Sequence, residues 1–111
     1  MKFARFFMAA GLVSCIFGAS QSIAGGYTPA GVIREFSVWN DINGILIMPS
    51  DLINPDNCVR RDQITLQKTH PQYKEIYSMV LAAHISGKKV FFYLEGCAQN
   101  FPNVVHMVIQ N

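Results

Sequence analysis

The first 24 residues set the size of what this chain can fold into. A basic head, Met1-Lys2-Phe3-Ala4-Arg5, leads into an apolar run from Phe6 to Ala19, and Ser22-Ile23-Ala24 places small side chains three and one positions ahead of a cut. That order is the layout of a bacterial secretory signal peptide. The run of about 14 residues is shorter than the roughly 20 that a helix needs to cross a bilayer, and no second run like it follows. The expectation is a signal peptide over 1–24 and one exported domain over 25–111, secreted or periplasmic, with no transmembrane segment in the mature chain. Leu12-Val13-Ser14-Cys15 also permits a lipobox, with a cut before a lipidated Cys15. Against it, Ile16-Phe17-Gly18-Ala19 stays apolar where a lipoprotein would begin a polar tether, and Cys15 then reads as a small hydrophobe of the leader.

Taking 24 from 111 leaves 87 residues. Burial alone leaves a domain of that size a thin stability margin, so a covalent staple or oligomerisation is expected. Cys58 and Cys97 remain once Cys15 has gone, and an even pair in an oxidising compartment is expected to join. Closing that loop contributes about 3–4 kcal/mol in the chain-entropy model. His70, His84 and His106 are scattered singly and have no zinc-type spacing with the cysteines, so neither metal nor cofactor is expected. Lys+Arg number 9 and Asp+Glu 7, but Lys2 and Arg5 leave with the leader and the balance becomes even. Arg60-Arg61 and Lys88-Lys89 are isolated pairs without the clustered positive footprint of a nucleic-acid binder.

Along the mature chain, GGYTPAG (25–31) is a glycine- and proline-rich lead-in that reads as loose or a short edge segment. Val32 to Asn40 and Ile45 to Met48 read as strands, and Asn43-Gly44 between them predicts a hairpin turn, with Trp39 near the tip. Pro49 to Asn57 reads as a surface loop, and Ile64-Thr65-Leu66 as a third strand. A helix follows. Thr69 or His70 is the expected cap, Pro71 sits in the first turn, and Gln72 lies three after Thr69 as a capping box requires. Tyr73, Ile76, Tyr77, Val80, Leu81 and His84 form its predicted core stripe. Met79, Ala82 and Ala83 form a second apolar face, read as either good helix formers or a subunit interface. Ser86-Gly87 ends the helix. Val90 to Glu95 reads as a central strand. Val104 to Gln110 reads as the last, with Val105, Met107 and Ile109 on one side.

Strand, strand, strand, helix, strand, strand predicts an α+β, mainly β fold: a five-stranded OB-like barrel with one helix between strands three and four. The segment Tyr77-Ser78-Met79-Val80-Leu81-Ala82-Ala83-His84-Ile85-Ser86-Gly87-Lys88-Lys89-Val90, followed by Cys97 and Pro102-Asn103-Val104, resembles the helix, turn and strand of bacterial A–B toxin B subunits of the subtilase-cytotoxin and pertussis-like kind. It also resembles small exported proteobacterial proteins of unknown function. The resemblance implies a homo-oligomeric ring with helices at its centre and glycan-binding outer faces. The sialic-acid contacts of that family have no matched positions here, and Cys58 falls in the loop before the third strand.

The residues themselves offer Trp39 as a stacking face for a sugar ring, or equally as a core tryptophan. Asp41 and Asn43 could bond sugar hydroxyls, though a turn favours the same residue types. His84 reads as a helix residue with a satisfied partner. No nucleophile, metal site or carboxylate pair has a local motif, so an enzyme is the least favoured class. A non-catalytic glycan-binding module leads, and an envelope protein that binds or inhibits another protein is the alternative.

Overall fold

A computed structural model describes residues 23–111. The lipobox at Cys15, and the leader apart from Ile23 and Ala24, lie outside the described residues. The elements are β1 (Gly26–Tyr27), β2 (Ile33–Ser37), β3 (Gly44–Pro49), β4 (Ile64–Gln67), α1 (Tyr73–Ser86), β5 (Val90–Ala98) and β6 (Phe101–Ile109). They form one six-stranded sheet in the order β1-β5-β6-β4-β3-β2. Neighbours are antiparallel except β4 and β6, which run parallel through the single pair Thr65 and Asn103.

This corrects the expected five-stranded OB-like barrel with its helix after the third strand. The sheet is mixed and open, with β1 and β2 at its two ends, and α1 follows the fourth strand; the mainly β character stands. The extra strand comes from the lead-in. Gly26 and Tyr27 pair with Leu94 and Tyr93, the Thr28 N–H donates to the Phe92 carbonyl at 2.9 Å, and Gly31 exchanges two backbone bonds with Val90 at 3.0 and 2.8 Å. A segment of glycine, proline and small residues has no side-chain periodicity to announce a strand. Its backbone donors are nonetheless free to satisfy the outer edge of β5.

Alternation along the strands sends Ile45 and Ile47, Ile64 and Leu66, and Val90, Phe92 and Leu94 to one face, where they meet Ile76, Val80 and Ala83 of α1. Full burial of a side chain of this kind contributes about 1.5–3 kcal/mol. On β6 an extra residue at Val105 shifts the register, since Leu94 pairs with Val104 and Tyr93 with His106. Val104 and Met107 therefore point into the core and His106 points out.

The β2–β3 hairpin forms, but Asn43-Gly44 is not its turn. The turn lies earlier, with the Ile42 N–H donating to the Trp39 carbonyl at 3.2 Å, and Gly44 begins β3 with φ 150°. A Cβ on Gly44 would stand 2.0 Å from the Leu66 carbonyl oxygen, so glycine is required by close strand approach as well as by backbone angle.

The helix begins at Tyr73 behind the N-cap Gln72, with no side-chain cap bond from Thr69 or Gln72. The His70 ring takes that place. Its Nε2 donates to the Val105 carbonyl at 2.7 Å, and its Nδ1 accepts the Gln72 N–H at 2.9 Å, an arrangement that suits the neutral Nε2–H tautomer. Gly87 closes the helix in the left-handed conformation, its N–H on the Ala83 carbonyl.

The core stripe of α1 is Ile76, Val80 and Ala83 with Tyr73 and Met79 beside it, rotated from the predicted one. Tyr77, Leu81 and Ile85 reach solvent, Ile85 at 76 %. At the edge of this stripe β2 makes the remaining contacts: the Phe36 ring packs edge-on against Tyr77 and His84, and His84 Nδ1 donates to the Ile33 carbonyl at 3.0 Å. Of the helix residues read as an interface, Ala82 is exposed, Met79 is half-buried, and Ala83, at 1 % exposure, belongs to the core. Cys58 and Cys97 are disulfide-bonded with Cα atoms 5.6 Å apart, tying the β3–β4 loop to the end of β5.

Candidate functional site

Four chain segments meet at one end of the sheet, and register brings them there. Pairing of Gly44 with Gln67 sets Lys68 beside the β2–β3 loop, whose Asn43 carbonyl accepts the Lys68 N–H at 3.0 Å. At the same end β5 turns into β6 through Gln99 and Asn100, with φ of 48° and 77°, the positive pair of a tight primed hairpin turn. Asn100 accepts the Arg60 N–H at 2.8 Å, which draws in the β3–β4 loop.

Gln99 organises this end. Its Oε1 accepts the Asn43 N–H at 2.7 Å and its Nε2 donates to the Asp41 carbonyl at 2.9 Å, so one side chain holds two backbone groups of the β2–β3 loop. The backbones of Asp41 and Asn43 are thereby fixed. Their exposed side chains make no hydrogen bond to another described residue. Trp39 stands between them and the strand, 39 % exposed and outside the core.

Two shallow depressions flank this loop. One, of about 380 Å³, is lined by Trp39, Asp41, Asn43, Lys68 and Tyr73 among others. The second, of about 350 Å³, is lined by Trp39, Asp41, Arg60, Gln99 and Phe101. Partial burial, with Tyr77 alongside, raises the Tyr73 phenol above its ordinary range. Arg60 lies over the Phe101 ring at 4.8 Å from its centroid and pairs with Asp62 at 2.8 Å. Its guanidinium is thus held at the rim with its charge partly met.

Trp39, Asp41 and Asn43, the three ligand-contact candidates, therefore share one surface. Sequence reasoning missed Lys68, Tyr73 and Gln99 there and read Arg60 only as part of an isolated basic pair. No local signal marks them, because they lie far apart in the chain and only strand register assembles them. An indole face beside a carboxylate, amides and two cations has the chemistry for a polyhydroxylated ring: apolar C–H faces on the indole and hydroxyls on the polar rim. Among the described residues, no group of three or more His, Cys, Asp or Glu side chains could hold a metal ion. No helix among them is long and apolar enough to cross a membrane.

A second aromatic group lies around β1. Tyr27 packs at 4.9 Å from Tyr93 and 5.7 Å from Phe91 between ring centroids, and Tyr93 stacks on His106 at 5.1 Å. The Tyr27 hydroxyl and His106 Nε2 are 3.2 Å apart. No protein-family model, curated protein or solved structure matches the chain.

Proposed function

We propose that the chain is an exported, non-catalytic binding module that takes a glycan at the Trp39 loop. The observation that carries this reading is the exposed Trp39 ring, presented on a loop whose backbone Gln99 pins at two points, with Asp41 and Asn43 side chains free beside it. A pre-set loop loses less entropy on binding than a mobile one. The resemblance of the helix-to-strand segment to toxin B subunits supports the same ligand class.

Trp39 is the chain's one tryptophan, so its fluorescence reports on the site directly. Titration with a panel of neutral and acidic oligosaccharides is expected to give a saturable emission change with at least one member. Trp39→Ala should abolish binding measured by calorimetry while leaving the far-ultraviolet circular dichroism intact. A panel without any response, or binding that survives both Trp39→Ala and Asp41→Ala, would refute the reading.

The helix favours a second reading, association with another chain, either copies of itself in the ring that the toxin resemblance implies or a partner protein of the envelope. Tyr77, Leu81 and Ile85 leave a run of apolar side chains in solvent. Ala82 borders it, and Ala83 is replaced by Leu81 and Ile85 as the contact residues. Light scattering of the unmodified protein and of Leu81→Glu tests it: a monomer in both cases rules out self-association.

A further inference from the structure

Asp56 lies in the β3–β4 loop, two residues before Cys58, and its carboxylate faces the lead-in rather than a cation. Oδ1 accepts the Ala24 N–H, Oδ2 accepts the Gly96 N–H at 2.8 Å, and the Gly25 nitrogen lies 3.4 Å from Oδ1 and 3.2 Å from Oδ2. A single amide hydrogen serves two acceptors at those lengths poorly. An ammonium, with three hydrogens, serves both well. The position also has a size limit, since a Cβ at residue 25 would stand 2.4 Å from the Tyr93 hydroxyl oxygen. Independently, Ser22-Ile23-Ala24 places the small residues of an export cut immediately before Gly25.

We infer that Asp56 is the built-in receptor for the α-ammonium that the expected cut between Ala24 and Gly25 creates. The reaction is hydrolysis by a peptidase of the export machinery. One water is consumed, its oxygen goes to Ala24 as a carboxylate, and its two protons end on the Gly25 nitrogen, so charge and atoms balance. The cut falls on the unfolded chain during export. On folding, the new ammonium docks on the carboxylate beside the Cys58–Cys97 disulfide, and Gly26 and Tyr27 follow it directly into pairing with β5. An uncut chain offers Asp56 only amide hydrogens there; the cut takes away the Ala24 N–H on Oδ1 and leaves the Gly25 ammonium within reach of both oxygens. This inference does not depend on the Trp39 reading.

The test begins with the full-length chain expressed from Met1 in a bacterium and recovered after export. Mass spectrometry should show a terminus at Gly25, and a terminus at any other residue overturns the proposal. In the mature protein, an NMR titration should place the Gly25 α-ammonium above the ordinary α-amino range of about 7.7–8.0, and Asp56→Asn should return it to that range. Should Asp56→Asn fail to fold, chemical acetylation of the Gly25 amine keeps Asp56 and removes the charge. The acetylated form is expected to melt at a lower temperature than the free amine at neutral pH, with the gap closing at a pH that deprotonates the amine. An ordinary-range titration in the unsubstituted protein, or equal melting of the two forms at neutral pH, overturns it.

Discussion

The Gln99 carboxamide bridges the Asn43 N–H and the Asp41 carbonyl, so the β5–β6 turn holds the loop that presents Trp39. Replacing Gln99 with Ala removes both bonds and leaves the backbone to water. The expected loss of stability is about 1 kcal/mol, read as a lower urea midpoint. The larger effect is on the loop: Trp39 fluorescence anisotropy should fall, and, on the proposed function, glycan affinity should weaken with Trp39 itself intact. Unchanged anisotropy would mean that the loop holds its own shape.

The Cys58–Cys97 bond closes a loop of sequence separation 39. Its removal by Cys58→Ala with Cys97→Ala should cost about 3–4 kcal/mol, mainly by freeing the unfolded chain. Urea titration of the double variant against the oxidised protein measures this directly. A loss below about 1 kcal/mol would show that the native loop is held by its other contacts.

Asp56 gives a pH signature. In the uncut chain, hydrogen bonds from the Gly96 N–H first, then from Ala24 and Gly25, lower its carboxyl below the ordinary 3.8 despite some desolvation; a cut before Gly25 removes the Ala24 bond but leaves the Gly96 bond and adds an ammonium, so the direction is the same. A depressed folded value means that the unfolded state binds the proton more readily, so stability rises with pH through this window. The contribution is complete above 3.8 and fades as pH falls through the folded value. Asp62, lowered chiefly by its Arg60 hydrogen bond, adds a second contribution in the same range. Asp56→Asn should therefore flatten part of the acid limb of melting temperature against pH and leave the part due to Asp62. Parallel curves for the two proteins would remove Asp56 from the account.

Two helix substitutions separate core from surface. Ala83→Glu places a carboxylate among Ile76, Val80 and the sheet, and should cost about 3 kcal/mol or more. Leu81→Glu, on the exposed side, should change monomer stability by less than about 1 kcal/mol. Thermal melts of both variants decide it, and similar losses would mean that the face containing Leu81 is covered.

The helix and the longer strands were legible because their patterns are dense. Val90 to Glu95 and Val104 to Gln110 are strongly β-branched and aromatic, and Pro71 and Gly87 bracket the helix. The count of strands was not legible, since β1 is held by backbone bonds from a segment without periodicity. The helix stripe was misplaced because α1 is apolar around most of its circumference, and only packing on the sheet shows that the side with Ile76, Val80 and Ala83 is the covered one. Trp39, Asp41 and Asn43 could be read from the loop sequence alone. Gln99, Lys68 and Arg60 reach them only through strand register, and Asp56 met its partners only once the lead-in was folded back onto β5.

The parallel pair Thr65 and Asn103 is where two locally connected halves of the sheet join, one made of β2, β3 and β4 and the other of the β5–β6 hairpin. Each half can form from neighbours in sequence, whereas their junction must close a long loop that contains the whole helix. Loop closure of that kind is slow because its entropy is lost before any contact forms. Cys58 precedes β4 and Cys97 lies one residue before the end of β5, so the disulfide brackets the same junction. A chain oxidised before it folds starts the search with its halves already tethered. Loop-closure entropy then makes the oxidised chain the faster one to join its halves, an effect separate from the stability of the finished fold.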